Sequence, residues 1–170
     1  MKHCLYALIL SSLCAVAAAA DLKATVELPQ LDVAEYHRPY VATWIENDRR
    51  EVVANLAVWY DVRMDGEEGE KWLKDLRQWW RRAGRSLDMP VDGVSAATRP
   101  PGTHSMQFRG DRGLIAGLPP GRYTLVVEAA REVGGREVLQ LPFDWPPTAT
   151  VTDQAEGERE LGSVRLELLP

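Results

Sequence analysis

What constrains this chain most is its period. Short runs alternate apolar with polar residues, glycine and proline turns cut them apart, and one stretch alone keeps a helical spacing. Alternation at every second residue puts the apolar side chains on one face of an extended strand. Over residues 22–28, Leu22, Ala24, Val26 and Leu28 share such a face. Over 39–46, Tyr40, Ala42 and Trp44 point one way while Val41 and Ile45 point the other. A third strand over 52–60 carries Val53, Leu56, Val58 and Tyr60, and the polar 46–51 before it reads as a hairpin loop.

Residues 65–87 change character. Trp72, Leu73, Leu76, Trp79 and Trp80 fall at the spacing of one helical face, so a short amphipathic helix is expected there. Glu67, Glu68 and Glu70 gather at its start and Arg81, Arg82 and Arg85 at its end, which complements the helix dipole, and Gly84 is a plausible stop. A tryptophan stripe at helical spacing is read as core before it is read as a ligand platform.

The last third returns to strand-like runs. Residues 114–118 lead into Pro119-Pro120-Gly121, a turn signal, and 122–129 alternate cleanly. Gly134-Gly135 marks a hairpin before a strand over 136–143, and a final strand is expected over 163–169. Short strands joined by such turns predict a mainly β chain, an immunoglobulin-like antiparallel β-sandwich with one short amphipathic helix inserted. The stretch 117–130 also resembles a hairpin common in immunoglobulin-like bacterial modules, which speaks to fold and not to function.

The N-terminus carries an export signal. Lys2 and His3 precede an apolar run that ends in Ala18-Ala19-Ala20, and Asp21 opens a polar chain, so residues 1–20 read as a cleaved signal peptide and 21–170 as a single domain. Acylation at Cys14 is disfavoured by the bulky Leu13 before it. Cys4 and Cys14 both lie in the leader, which leaves the mature domain without a disulfide, a thiol catalyst or a thiolate metal site. Loss of Lys2 takes the formal net charge from −5 to −6 with both signs interspersed, which argues against nucleic acid as a partner. A periplasmic location follows; oligomeric state does not. His37 and His104 are too few for a metal site, and Tyr36, Tyr40 and Trp44 are expected in the core or on a sheet face. No Ser-His-Asp set is evident and no glycine-rich phosphate loop follows a strand, so the chain is not expected to be an enzyme in its own right.

The remaining segment, 90–102, has prolines at both ends, small residues in the middle and no period, and is expected to be a surface loop. Within it, Asp92-x-x-Ser95-Ala96-Ala97-Thr98 resembles the acceptor motif of covalent flavinylation, Asp-x-x-(Ser/Thr)-Gly-Ala-(Ser/Thr). With ordinary residue usage this pattern, relaxed to admit Ala, arises by chance in on the order of one chain in 10³. The resemblance implies that a flavin transferase (ApbE-type) moves FMN from FAD onto Thr98 as a phosphoester. The chemistry suits the residue types. A hydroxyl that enters another enzyme's active site needs an exposed loop and slim neighbours, here Ser95, Ala96 and Ala97. Asp92 is expected to brace the loop through backbone N–H groups or to assist at the transferase's metal. Arg99 is expected to offset the phosphate's charge. Ala96 departs from the motif's glycine, a cost wherever that glycine takes positive φ. His104, six residues beyond Thr98, can approach a ring carried there, although a loop histidine in water is the ordinary case.

Over nearly all of the mature chain the order of features is similar to the predicted periplasmic family called domain of unknown function 2271. Its tryptophan-bearing stretches at 38–46 and 72–80 and the 97–102 loop carry the likeness, together with 123–136. What that resemblance implies is association with flavin transferases and PepSY-type membrane proteins, in systems that carry electrons across the inner membrane, often for iron reduction. The expectation is therefore a periplasmic electron carrier with FMN on Thr98. The alternative is a non-redox immunoglobulin-like module that binds a protein or glycan through surface tryptophans.

Overall fold

In a computed structural model that describes residues 20–170, the alternating segments pair into two sheets. The expected signal peptide, Ala20 apart, lies outside those residues. Strand β1 (Asp21–Leu28) sits in a four-stranded antiparallel sheet. Its neighbours are β5 (Gly102–Arg109) and β9 (Ser163–Leu169), and β8 (Val151–Glu156) flanks β9. The second sheet has the order β4 (Ser95–Ala97), β3 (Val52–Tyr60), β2 (Tyr40–Asn47), β6 (Gly121–Ala130), β7 (Arg136–Trp145). Its β3–β4 pair is parallel and the others are antiparallel. The chain is a mainly β sandwich, as the period predicts.

The expected inward face of β1 is the observed one. Leu22, Ala24, Val26 and Leu28 are buried against Val41, Ile45, Leu125, Val127 and Ala129 of the second sheet. Burying each Leu, Val or Ile stabilises by about 1.5–3 kcal/mol. A slip of one residue would turn the apolar set of β1 to solvent, so this pattern also fixes the register. Both expected hairpins form. Asn47 Oδ1 accepts the N–H groups of Arg49 and Glu51, each at 3.0 Å, and Gly134-Gly135 lies between β6 and β7. The Tyr123 hydroxyl donates to the Pro119 carbonyl at 2.8 Å, the bond of a tyrosine corner in immunoglobulin-like sandwiches.

Strand β2 is apolar on both faces because something covers the second. Ala42, Trp44, Val58, Tyr60 and Val126 form an outer layer under Leu73, Leu76 and Trp79 of the helical insert. That insert is a chain of short turns and not one continuous helix. Helices α1 (Glu68–Lys71) and α2 (Arg77–Arg82) alternate with 3-10 turns at Asp65–Glu67, Leu73–Asp75 and Gly84–Ser86. Gly66 and Glu67 are left-handed, each at φ 61°, and Leu76 leaves the helical region at ψ 67°. The breaks rotate Trp72 out of the expected face. It is 46% exposed, whereas Leu73, Leu76 and Trp79 are fully buried.

Other expectations need correction. The run 114–118 is not a strand: Gly113–Ile115 make a 3-10 turn that follows the positive φ of Gly113 and drops Ile115 into the core. Strands β5 and β8 were not anticipated, and the supposed loop 90–102 contains β4.

Candidate functional site

Residues 91–98 begin with a tight turn. The Val91 carbonyl accepts the N–H groups of Val94 at 3.1 Å and Ser95 at 2.9 Å, with Gly93 at φ 73° between them. Ser95 Oγ returns the bond by accepting the Val91 N–H at 2.9 Å. The brace expected from Asp92 is thus made by Ser95, and Asp92 stands exposed at the tip of the turn. Beyond it, Ser95, Ala96 and Ala97 run parallel to Val58, Trp59 and Tyr60. The Thr98 N–H closes this ladder on the Tyr60 carbonyl at 3.2 Å. Thr98 is therefore the first residue past an edge strand, with its backbone fixed and its side chain half-buried.

Ala96 occupies the glycine position of the motif without backbone strain. It lies in β4, and the non-glycine residues with positive φ among those described are Arg50, Glu67 and Val133. Its methyl group packs against the core between the sheets. Arg99 holds its guanidinium 5.6 Å from the Trp59 ring centre. His104 meets the same ring edge-on at 5.6 Å, and its Nε2 lies 2.8 Å from the Pro100 carbonyl oxygen.

Thr98 lines a cleft of about 540 Å³ that neither Arg99 nor His104 lines. Tyr36, Tyr40 and Trp72 contribute its aromatic walls. Tyr40 packs edge-on to Tyr60 at 6.2 Å. Burial pushes the hydroxyls of Tyr36 and Tyr40 above the ordinary tyrosine value, against the lowering effects of Arg131 on Tyr36 and of a backbone hydrogen bond with Asp61 on Tyr40. Both remain protonated donors at neutral pH. The wall that carries Trp72 depends on Gly69. A Cβ at Gly69 would lie 2.0 Å from the Asp61 carbonyl oxygen, so a larger residue would push α1 off the end of β3.

Charge around the cleft is largely internally paired. Arg131 is buried and donates to both oxygens of Glu160 at 2.8 and 3.2 Å, and Glu160 also accepts the Gly135 N–H at 2.6 Å. Glu68 pairs with Lys71, and His37 lies between Glu35 at 3.0 Å and Glu132 at 3.6 Å. Asp61, Asp75 and Arg38 complete the rim.

The sequence singles out Thr98 as a candidate acceptor but gives no sign of what stands beside it. Trp44 is core and Tyr40 lies on a sheet face, as expected, but Tyr40 also walls the cleft together with Tyr36 and Trp72. These three come from separate parts of the chain, and no local spacing relates them.

The family model of a predicted periplasmic protein, DUF2271, matches residues 21–163. The chain belongs to that family. The match takes in the five-stranded sheet of this DUF2271 protein, strands β1, β5 and β8 of the other, the helical insert and the Asp92–Thr98 segment, and it stops at the first residue of β9. The family's description agrees with the periplasmic location expected from the leader. No match is found among curated proteins or among solved structures.

Proposed function

We propose that this protein is a periplasmic electron carrier with FMN held covalently on Thr98. One observation carries the reading: the hydroxyl sits at the end of a short edge strand, beside an exposed turn, with only Ala97 and Ala96 immediately before it. A transferase can approach such an edge without displacing core. The residues also fit the group, because Thr98 borders a cleft with aromatic walls and two protonated tyrosine hydroxyls.

In the attachment step Thr98 Oγ loses its proton and forms the new O–P bond to the FMN phosphorus of FAD. The pyrophosphate bond breaks and AMP leaves. The flavin, when bound, supplies the redox chemistry, and the protein supplies attachment, orientation and electrostatics. Covalent attachment keeps the cofactor from being lost outside the cytoplasm. Electrons would come from a PepSY-type membrane partner, which ends oxidised, and go to an extracytosolic acceptor such as ferric iron, which ends as ferrous iron. Arg99, one residue from the acceptor and free to leave the face of Trp59, is the nearest cation in sequence to the phosphoester.

The rival, a glycan- or protein-binding module, needs a flat tryptophan patch on the insert. Trp79 is fully buried and Trp80 half-buried, so Trp72 stands alone. The test is intact mass with in-gel flavin fluorescence on protein exported alongside an active flavin transferase. We expect a gain of one FMN less water that disappears in Thr98→Ala. An unchanged mass, with the transferase active on a control substrate, would sink the flavin reading in favour of the binding module.

A further inference from the structure

We infer that the cleft bordered by Thr98 is the docking seat of the isoalloxazine ring, with Trp72 and Tyr40 as its walls. This rests on the attachment of FMN at Thr98, and it adds where the ring lies and which side chains hold it. A tethered flavin is free either to wave in solvent or to dock. The cleft volume, about 540 Å³, falls within the range of small-molecule sites, about 300–1,000 Å³. Its aromatic content matches a flat conjugated ring, which stacks on or meets the edge of other rings.

Trp72 is the second observation. Trp72 is 46% exposed beside the cleft, on an insert whose Leu73, Leu76 and Trp79 are fully buried and whose Trp80 is half-buried, and its ring meets the Lys74 ammonium at 5.7 Å in place of a core neighbour. It reaches that position through the break between α1 and α2 and the close approach that Gly69 allows. The charge pattern favours the ring over the phosphate as occupant. Arg131 is neutralised by Glu160 and Glu68 by Lys71, so Asp61, Asp75 and Glu132, whose partner His37 carries charge only when protonated, face Arg38 as the cleft's remaining charges, and the oxidised isoalloxazine is neutral. The tyrosine hydroxyls offer donors to its carbonyl edge. The same acidic excess disfavours added negative charge on the ring.

The test uses the full exported protein after flavinylation, with loading read by intact mass. Electron-rich rings in contact quench flavin fluorescence, so native protein should fluoresce several-fold less than the flavinyl peptide released from it by proteolysis. It should also show induced circular dichroism in the visible flavin bands. Trp72→Ala, at an exposed position, should load normally while regaining much of the fluorescence and losing most of the dichroism, and Trp72→Phe should lie between. If loaded wild-type protein fluoresces like the peptide and shows no induced dichroism, the ring is undocked and the seat is wrong, with Thr98 still the acceptor. If Trp72→Ala leaves a quenched, dichroic flavin unchanged, this cleft is not the seat. If Thr98 does not load, the attachment reading falls and the seat with it.

Discussion

The two faces of the five-stranded sheet are held by different forces. The inner face meets the other sheet through Val41, Ile45, Leu125, Val127 and Ala129, with Thr43 as its polar exception. The outer face is covered by a broken helical insert, and there carboxylates do the fastening. Glu128, with no exposure, accepts the N–H groups of Gln78 at 3.0 Å and Trp79 at 2.8 Å and pairs with Arg136 at 2.6 Å. Glu46 accepts from the Trp44 indole at 2.7 Å and pairs with Arg82 at 2.5 Å. Area drives the first interface, and directional bonds select one arrangement of the second. The lesson matters for function, because the cleft beside Thr98 lies where the insert meets the outer face.

The largest expected effect is at Glu128. Glu128→Ala leaves the Gln78 and Trp79 N–H groups without an acceptor and releases Arg136, whose side chain is 39% exposed. At about 1–3 kcal/mol for each unpaired buried donor, the cost should reach about 2–6 kcal/mol. The loss should appear in chemical denaturation, and the near-ultraviolet dichroism of Trp79 should weaken even in protein that remains folded. A cost below about 1 kcal/mol would mean that apolar contact alone holds the insert. Leu125→Ala, on the inner face, is expected to cost about 2–5 kcal/mol through lost transfer energy and a residual cavity. It should lower stability as a whole, and any change in the tryptophan signals of the folded state should come from Trp59 and Trp145, which share that core, and not from Trp79. If both variants changed the same signals in the same proportion, the two faces would not differ in the way described.

The same division decides what could be seen in the sequence. Leu22, Ala24, Val26 and Leu28 alternate in one uninterrupted run, and a strand buried on one face has no other explanation. The insert's amphipathic spacing was visible, but its breaks were not. Glu128 captures α2 from 49 and 50 residues away, so the cause of the break is tertiary. Strand β8 is mostly exposed and polar and carries no alternation, and β4 is three residues long, held by pairing alone. The candidate segment Asp92 to Thr98 stands out in the sequence because the motif it resembles is contiguous. Arg99 was expected beside the phosphate from adjacency alone, while its resting contact with Trp59 depends on strand pairing. The cleft was illegible, since Tyr36, Tyr40 and Trp72 meet only after the insert folds back over the sheet.

A smaller effect sharpens the outer-face account. The Trp79 indole N–H donates to Asn55 Oδ1 at 2.8 Å from a fully buried ring. Asn55→Ala should cost about 1–3 kcal/mol, the penalty of an unpaired buried donor, and Trp79 fluorescence should shift. A neutral result would show that water reaches the indole and that this edge of the insert is looser than its carboxylate-anchored end.

The smallest effect tests the rim, where the two sheets are joined by charge. Glu137, at the start of β7, accepts N–H groups from Glu158, Arg159, Glu160 and Leu161 at 2.7–3.0 Å, so it holds the β8–β9 connection. Burial pushes its carboxyl up, but the four donors outweigh that and leave it below the ordinary glutamate value. A folded-state value below the unfolded one, about 4.3, means the carboxylate contributes stability above that pH. The contribution is lost as pH falls through the lowered folded value. Glu137→Gln should therefore cost about 1 kcal/mol at neutral pH, and the gap to the native protein should close in acid. Other carboxylates titrate alike in both proteins and cancel in the difference. Because Glu160 fixes Arg131 in the cleft wall, the variant should also loosen that wall. A gap that is constant from pH 7 to 3 would show that the four bonds are worth the same to a neutral side chain, and that charge plays no part in joining the sheets at this end.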